Sequence, residues 1–298
     1  MEVDLKGIER VTLGTAGLGG AWRPVDLDQS VEAILYALEE GITHLDMAPA
    51  YMDAELVVGR ALQQWKGEDL FLSTKIGKLR GRADEQNLVD YKINTIKSSL
   101  ATSLERLNRN TIDLLFLHEP ELIPAEAIHG VVDTLLFFKD QGSVKKIGLG
   151  GKPSKLLRPF IEQGLFDVIM DFNGYNLVEQ KALKEDFPFY RKHHLKIYEG
   201  SPLMMGLLGN RLETYAKDPP SWLPLKTIAQ AGELKLLAVE NNMTLATMAH
   251  RYLLFSNNID RMVIGPAVLQ QLEATIRDIK MGPLDNLLLE KIHKIINI

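Results

Sequence analysis

The stretch TIDLLFLHEPELIPAEAIHGVVDTLLFFKDQGSVKKIGLG, residues 111–150, decides the fold. TIDLLFLH is a short apolar run, AEAIHGVVDTLLFFKDQG (125–142) is amphipathic at helical spacing, and SVKKIGLG (143–150) is strand-like again. Strand, helix and strand in that order make a parallel βαβ unit. The alternation continues in both directions. Toward the N-terminus lie ERVTLG (9–14), the helix pattern DQSVEAILYALEE (28–40), ITHLDM (42–47), AELVVGRALQQW (54–65), DLFLSTKI (69–76) and the helix pattern VDYKINTIKSSLATSLERL (89–107). Asp28 is the expected N-cap of the first helix and Gly41 its stop. Toward the C-terminus follow KLLRPFIEQG (155–164), DVIMDF (167–172), a short helix around EQKALKEDFPFY (179–190), HLKIYEG (194–200), helices over 227–255, RMVIG (261–265), PAVLQQLEATIRDI (266–279) and a terminal helix near 284–295.

Eight β-then-α units within 298 residues predict an α/β fold, a single (β/α)8 TIM barrel. No linker or low-complexity tract divides the chain, so 1–298 is expected to form one domain. A long loop after strand seven, 203–226, contains Asp218-Pro219-Pro220 and is expected to act as a lid; a C-terminal helix closes the chain.

Composition narrows the function classes. At 46% hydrophobic residues the chain has ample material for a core. A net charge of −5 offers no electrostatic footprint for nucleic acid or an anionic membrane. The absence of cysteine excludes disulfides, thiolate metal sites and cysteine nucleophiles. No apolar run reaches the about 18 residues of a membrane span, and MEVDLKGIER does not resemble a signal peptide. A cytoplasmic protein without membrane or nucleic-acid partners is expected. With no heptad seam or apolar stripe, a monomer or weak homodimer is the default.

Barrel chemistry sits at the C-terminal strand ends. Asp46 ends the second strand pattern with Tyr51 in the loop beyond it; Lys75 ends the third strand, and His118 the fourth. Together they read as a proton-transfer device. A phenol titrates near pH ~10, and a neighbouring ammonium lowers that value. Lys75 is therefore expected to tune Tyr51, Asp46 to hold Lys75 charged, and His118 to bind the substrate oxygen. Tyr51 then gives a proton to a carbonyl or takes one from a hydroxyl. Such a device needs no metal, but it does need a hydride carrier. The pair His193-His194 precedes the seventh strand, at the wrong end of the barrel for a catalytic metal.

Three segments, HLDMAPAYMDAELVVGRAL (44–62), STK (73–75) and DLLFLHEP (113–120), resemble the motifs of the aldo-keto reductases. That family's Asp, Tyr, Lys and His match Asp46, Tyr51, Lys75 and His118. LGTAGLG (13–19), GLGG (148–151), SPLMMGLL (201–208) and Pro219-Pro220-Ser221-Trp222 are similar to sugar dehydrogenases of the D-threo-aldose (L-fucose) and L-galactose type, which oxidise an aldose C1 hydroxyl to a lactone. The resemblance implies a nicotinamide dinucleotide, NAD or NADP, held by Gly14, Thr15 and Ala16, by Gly150, by Ser201, Leu203 and Gly206, and by Gly265 and Gln271. It implies a small-molecule substrate, an aldose or aldehyde, bordered by Trp22, Tyr51, His118 and Glu119. GTAGLG (14–19) has the spacing G-x-x-G-x-G, which is not the dinucleotide-fold fingerprint.

The chain departs from the family pattern in four places. Met47 replaces a frequent Thr, Gly150-Gly151 replaces the Ser-Asn pair that grips the carboxamide, and Gly200 replaces an aromatic that stacks on the nicotinamide. The segment 263–276, Ala267 and Gln271 included, has no Lys or Arg. A 2′-phosphate needs charged donors, so this favours NAD over NADP. Two other functions share these residues: a general NADPH-dependent reductase of methylglyoxal- or pyridoxal-type aldehydes, and a non-catalytic nucleotide-sensing subunit.

Overall fold

The computed structural model describes residues 7–80 and 88–297. Eight strands close into a barrel in sequence order: β1 (Val11–Gly14), β2 (His44–Asp46), β3 (Phe71–Ile76), β4 (Ile112–His118), β5 (Val144–Gly150), β6 (Val168–Phe172), β7 (Lys196–Gly200) and β8 (Arg261–Ile264). Every neighbouring pair is parallel, and β8 returns to β1. This is the expected (β/α)8 barrel.

Two cores follow from strand alternation, which sends successive side chains to opposite faces. Leu114, Phe116, Val168, Met170, Tyr198 and Val263 fill the barrel. The opposite faces, with Leu45, Leu72, Leu115, Ile147, Ile169 and Ile197 among them, join a larger cluster beneath the helices. Interior parity then fixes the layer at the mouth. Residues two positions beyond the filling layer are His118, Phe172 and Gly200, with Gly150 the register neighbour of His118; Lys75 lies level with Phe116, and Asp46 ends β2 beside Ser73.

Strand exits are sharp. Glu119, Gly151, Asn173 and Ser201, each immediately after the last residue of β4, β5, β6 or β7, all have left-handed φ. Outside Gly this conformation is costly, and it concentrates where surrounding structure enforces it. Here it turns the chain outward at once and leaves the last strand residue at the mouth.

Several expected boundaries shift for local reasons. The first helix, Leu27–Glu39, is capped by Asp26, whose side chain accepts from the N–H groups of Asp28 and Gln29; Asp28 lies in the first turn. Gly41 follows with φ +91°, the expected stop. The stretch 179–190 breaks into two short helices, the second with Pro188 in its first turn. The stretch 227–255 becomes Leu225–Glu240 and Leu245–Leu254, the second capped by Thr244. The expected lid is partly structured: Leu212–Lys217 is helical, and Tyr215 meets Trp222 edge-on at 6.0 Å. The terminal helix spans Asn286–Ile296. No helix among the described residues is long and apolar enough to cross a membrane.

Candidate active site

β2 and β3 end on a buried ion pair. Lys75 Nζ donates to Asp46 Oδ2 and, at 3.0 Å, to the Met47 carbonyl. Ser73 Oγ holds the other Asp46 oxygen at 2.8 Å. Burial works against the Lys75 charge and the Asp46 carboxylate works for it. The ammonium also faces the Tyr51 ring, 4.9 Å from its centroid, and the Phe116 ring below it at 5.5 Å. Behind the strand, Thr74 Oγ1 donates to buried Glu55, which also accepts from Arg106 at 3.1 Å.

Tyr51 leaves the loop after β2 and meets His118 edge to face. The structure thus brings Asp46, Tyr51, Lys75 and His118 to one point. The expected lowering of the phenol pKa is not its resting state: burial, then the Asp46 and Glu119 carboxylates, push it well up. The His118 imidazole is pushed well down by burial and by the Lys75 and Lys78 charges. The pair therefore rests as a protonated phenol beside a neutral imidazole. His118 Nδ1 is buried and unpartnered among the described residues. Tyr91 steadies this strand exit, its hydroxyl 2.8 Å from the His118 carbonyl and 2.7 Å from that of Glu119.

Glu119 is ion-paired with Lys78, which follows β3. Its second oxygen, Oε2, is buried and has no partner among the described residues. Trp22 is half exposed on the far side of the mouth. A Cβ at Gly265 would come 3.2 Å from its ring, and one at Gly17 2.7 Å. Gly17 therefore has a packing reason: its side-chain position is filled by Trp22 and the Pro266 carbonyl.

The other residues matched to nucleotide binding take varied positions. Gly14 ends β1, and Ala16 is half-buried in the next loop. Thr15 is fully buried, its hydroxyl and N–H both donating at 2.9 Å to the Asp46 carbonyl, so its side chain anchors the β2 end. Ser201 Oγ accepts the Met205 N–H at 3.0 Å and closes a tight loop in which Ser201, Met204, Met205 and Gly206 all have positive φ. Leu203 packs on the core, and Arg211 lies across Gly206, where a Cβ would meet its side chain at 3.0 Å. Gln271 Oε1 accepts the Ala267 N–H at 2.8 Å. The helix it belongs to, Leu269–Lys280, has no side-chain cap at its N-terminus; the Gln271 N–H donates to the Val268 carbonyl at 3.1 Å, and the N–H groups of Leu269 and Gln270 are the ones open to an anion. An anionic dinucleotide fits this rim.

The sequence reading passed over Lys78, Arg211, Phe172 and the buried pair Asp171–Glu199. Asp171 and Glu199 carried one signal, an acid inside an apolar strand run. Lys78 and Arg211 carried none, because their partners lie in other segments. Among the described residues no group of three His, Asp or Glu is placed to hold a metal ion.

A closed parallel barrel with its polar cluster at the C-terminal mouth is the architecture of (β/α)8 enzymes. The chain belongs to the aldo/keto reductase family, whose sequence model matches residues 10–297. It is 25% identical over 281 residues to L-galactose dehydrogenase of Arabidopsis thaliana, covering 90% of this chain and 83% of that protein. It is 26% identical over 293 residues to NADH-specific methylglyoxal reductase of Escherichia coli, covering 90% and 89%. The structure of glycerol dehydrogenase from Gluconobacter oxydans superposes with a TM-score of 0.78 at 26% identity, covering 99% of this chain and 95% of that one. These relatives make the chain an oxidoreductase of this family.

Proposed function

We propose that the protein transfers hydride between a nicotinamide dinucleotide and C1 of an aldose, interconverting the sugar and its lactone, with Tyr51 exchanging the proton. The observation that carries this is the convergence of Tyr51 on the Lys75–Asp46 pair and on His118 at the barrel mouth. Bound nicotinamide supplies or accepts the hydride. Gly14, Thr15 and Ala16, Gly150, the 201–206 loop, Gly265 and the free N-terminus of Leu269–Lys280 with Gln271 are the residues to hold it.

In reduction, the protonated Tyr51 phenol donates to the carbonyl oxygen. The Lys75 ammonium, facing the ring, stabilises the phenolate left behind. Asp46 keeps that ammonium charged and aimed. Neutral His118 holds the substrate oxygen by a hydrogen bond without competing for the proton. In oxidation the same groups act in reverse, and Tyr51 removes the hydroxyl proton.

The aldose assignment draws on Glu119. A buried carboxylate oxygen without a donor is costly, and a sugar hydroxyl supplies one. Lys78 fixes the carboxylate, and Trp22 across the mouth offers an apolar face for sugar C–H groups. The L-galactose dehydrogenase relative agrees with this choice. The methylglyoxal reductase relative, of equal likeness, supports a second reading: reduction of small aldehydes.

A spectrophotometric screen of aldoses and aldehydes against NAD(H) and NADP(H), run in both directions, tests the proposal. Lactone from at least one aldose is expected. Brisk aldehyde reduction with no lactone selects the second reading. Nucleotide binding without turnover on any carbonyl overturns both and leaves a nucleotide-sensing subunit.

A further inference from the structure

One half of the barrel mouth carries the proton-handling groups; the other half is nearly bare. β2, β3 and β4 bring Asp46, Lys75 and His118 to it, while β5, β6 and β7 end on Gly150, Phe172 and Gly200. His118 is the register neighbour of Gly150, and Phe172 that of Gly200, so the two halves adjoin.

Neither glycine is demanded by its own backbone. Neither has a left-handed φ. A Cβ on Gly150 would sit 3.5 Å from Phe116 Cβ, and one on Gly200 would sit 3.3 Å from the Asp171 carbonyl and 3.6 Å from Phe172 Cδ2. The contact at Gly150 is an ordinary one; that at Gly200 is tight and asks the Asp171 carbonyl to give by a few tenths of an ångström, without the collision seen deeper in the barrel. Gly148, one layer deeper, differs: a Cβ there would collide at 2.8 Å with both the Phe116 ring and the Val168 carbonyl. Close packing thus explains Gly148 and leaves Gly150 and Gly200 as cleared space.

Phe172 stands beside that space. It shares the inward column of Val168 and Met170, which are buried, yet it is 58% exposed. Leaving a ring of that size in water forfeits burial that a covering group would supply. An exposed aromatic face beside the bare Gly200, with bare Gly150 on the strand at its other side next to Met170, is a slot for a planar ring.

We propose that Phe172 is the stacking face for the nicotinamide ring, and that Gly150 and Gly200 are bare to admit it. This rests on the hydride-transfer reading above and adds the residue that holds the reactive ring. The aromatic that β7 lacks at Gly200 is supplied by its register neighbour on β6. The slot adjoins His118, so a ring lying in it borders the substrate position.

Binding to the full chain, followed by calorimetry or by fluorescence of the reduced nucleotide, tests the assignment. The probes are NADH or NADPH, whichever the wild type prefers, and ADP-ribose or its 2′-phosphate, which lack the nicotinamide. Phe172→Ala is expected to weaken the dinucleotide roughly three- to tenfold, the scale of one aromatic pair, and to leave ADP-ribose unchanged. Phe172→Tyr should restore binding. Gly200→Leu, which fills the slot, should weaken the dinucleotide selectively as well. Wild-type dinucleotide affinity in Phe172→Ala, or equal loss of both probes, overturns the proposal. Failure of wild-type protein to bind any dinucleotide overturns the hydride-transfer reading first, a result visible before any variant is made.

Discussion

The ring of His118 stands edge-on to that of Tyr51, with centroids 5.6 Å apart and planes at 86°. The arrangement places two uncharged hydrogen-bonding groups side by side, since burial raises the phenol pKa and lowers that of the imidazole. Only the phenol rests with a proton suited to a carbonyl reduction. Tyr51→Phe removes that proton and keeps the ring under the Lys75 ammonium. Turnover should fall at least about 10²-fold, the usual scale for loss of a general acid. Nucleotide affinity should stay near the wild-type value. Steady-state kinetics with a parallel binding titration check both, and undiminished turnover would remove Tyr51 from the mechanism.

Lys75→Met separates tuning from stability. With the ammonium gone, the phenol faces burial and two carboxylates without a counterweight, so its pKa rises further. The phenol-dependent limb of the pH–rate profile should move to higher pH, and an unshifted profile would deny Lys75 this role. The buried Asp46 carboxylate would also lose its partner, a loss of about 3–5 kcal/mol in comparable buried pairs. Lys75→Met combined with Asp46→Asn should recover most of the stability, seen in denaturant unfolding, and none of the turnover.

The parts of this site legible in the sequence were those fixed by position along one strand. Asp46, Lys75 and His118 could be placed at the mouth because each ends an apolar run, and parallel strands deliver their C-terminal ends to one rim. Contacts that depend on barrel closure were not legible. The Lys78–Glu119 ion pair joins residues 41 positions apart. Phe172 looked like one more apolar residue of DVIMDF until the register set it beside Gly200. The raised phenol pKa was missed for a similar reason. Pairwise chemistry predicts a lowering by Lys75, whereas burial and the Asp46 and Glu119 carboxylates set the direction in the folded chain. The sequence offers Asp28 as the first helix cap and the structure uses Asp26, because both precede the same apolar periodicity and only the backbone decides which side chain reaches the free N–H groups.

Nucleotide choice follows from the end of β8 and its helix. The segment 263–276 holds no basic side chain, and Gln271 turns its carbonyl oxygen to the Ala267 N–H. A 2′-phosphate placed there would find no charged donor. NAD(H) should therefore bind more tightly than NADP(H). Gln271→Arg should shift the ratio toward NADP(H) by about tenfold or more, the scale of one charge-assisted hydrogen bond. Competition titrations measure the ratio. NADP(H) binding about tenfold tighter than NAD(H) to the wild type would mean that charge from outside this segment, such as Arg211 packed across Gly206, governs the choice.

The last prediction concerns acids that the reaction does not use. Asp171 and Glu199 are register neighbours on β6 and β7, 6% and 0% exposed, beneath the 173–178 loop. Tyr175 N–H donates to Glu199 Oε1 at 3.3 Å, while Asp171 Oδ2 and Glu199 Oε2 lack partners among the described residues. Burial raises both carboxyl pKa values, with Glu199 pushed well up by the neighbouring Asp171 charge. The surrounding charges are Asp186 and Lys152, themselves paired at 3.0 Å. The pair therefore holds a proton in the folded state at a pH where the unfolded chain has released it. Its contribution is complete below the ordinary carboxyl range and declines as pH rises toward the folded value. Glu199→Gln keeps a donor for Asp171 at every pH and removes one titration. The variant should lose stability less steeply than wild type between the ordinary carboxyl range and neutrality, and should be more stable at neutral pH by about 1–3 kcal/mol, the cost of a buried unsatisfied polar group. Denaturant unfolding of both proteins across that range decides the matter. Parallel curves would mean that Glu199 and Asp171 do not share a proton.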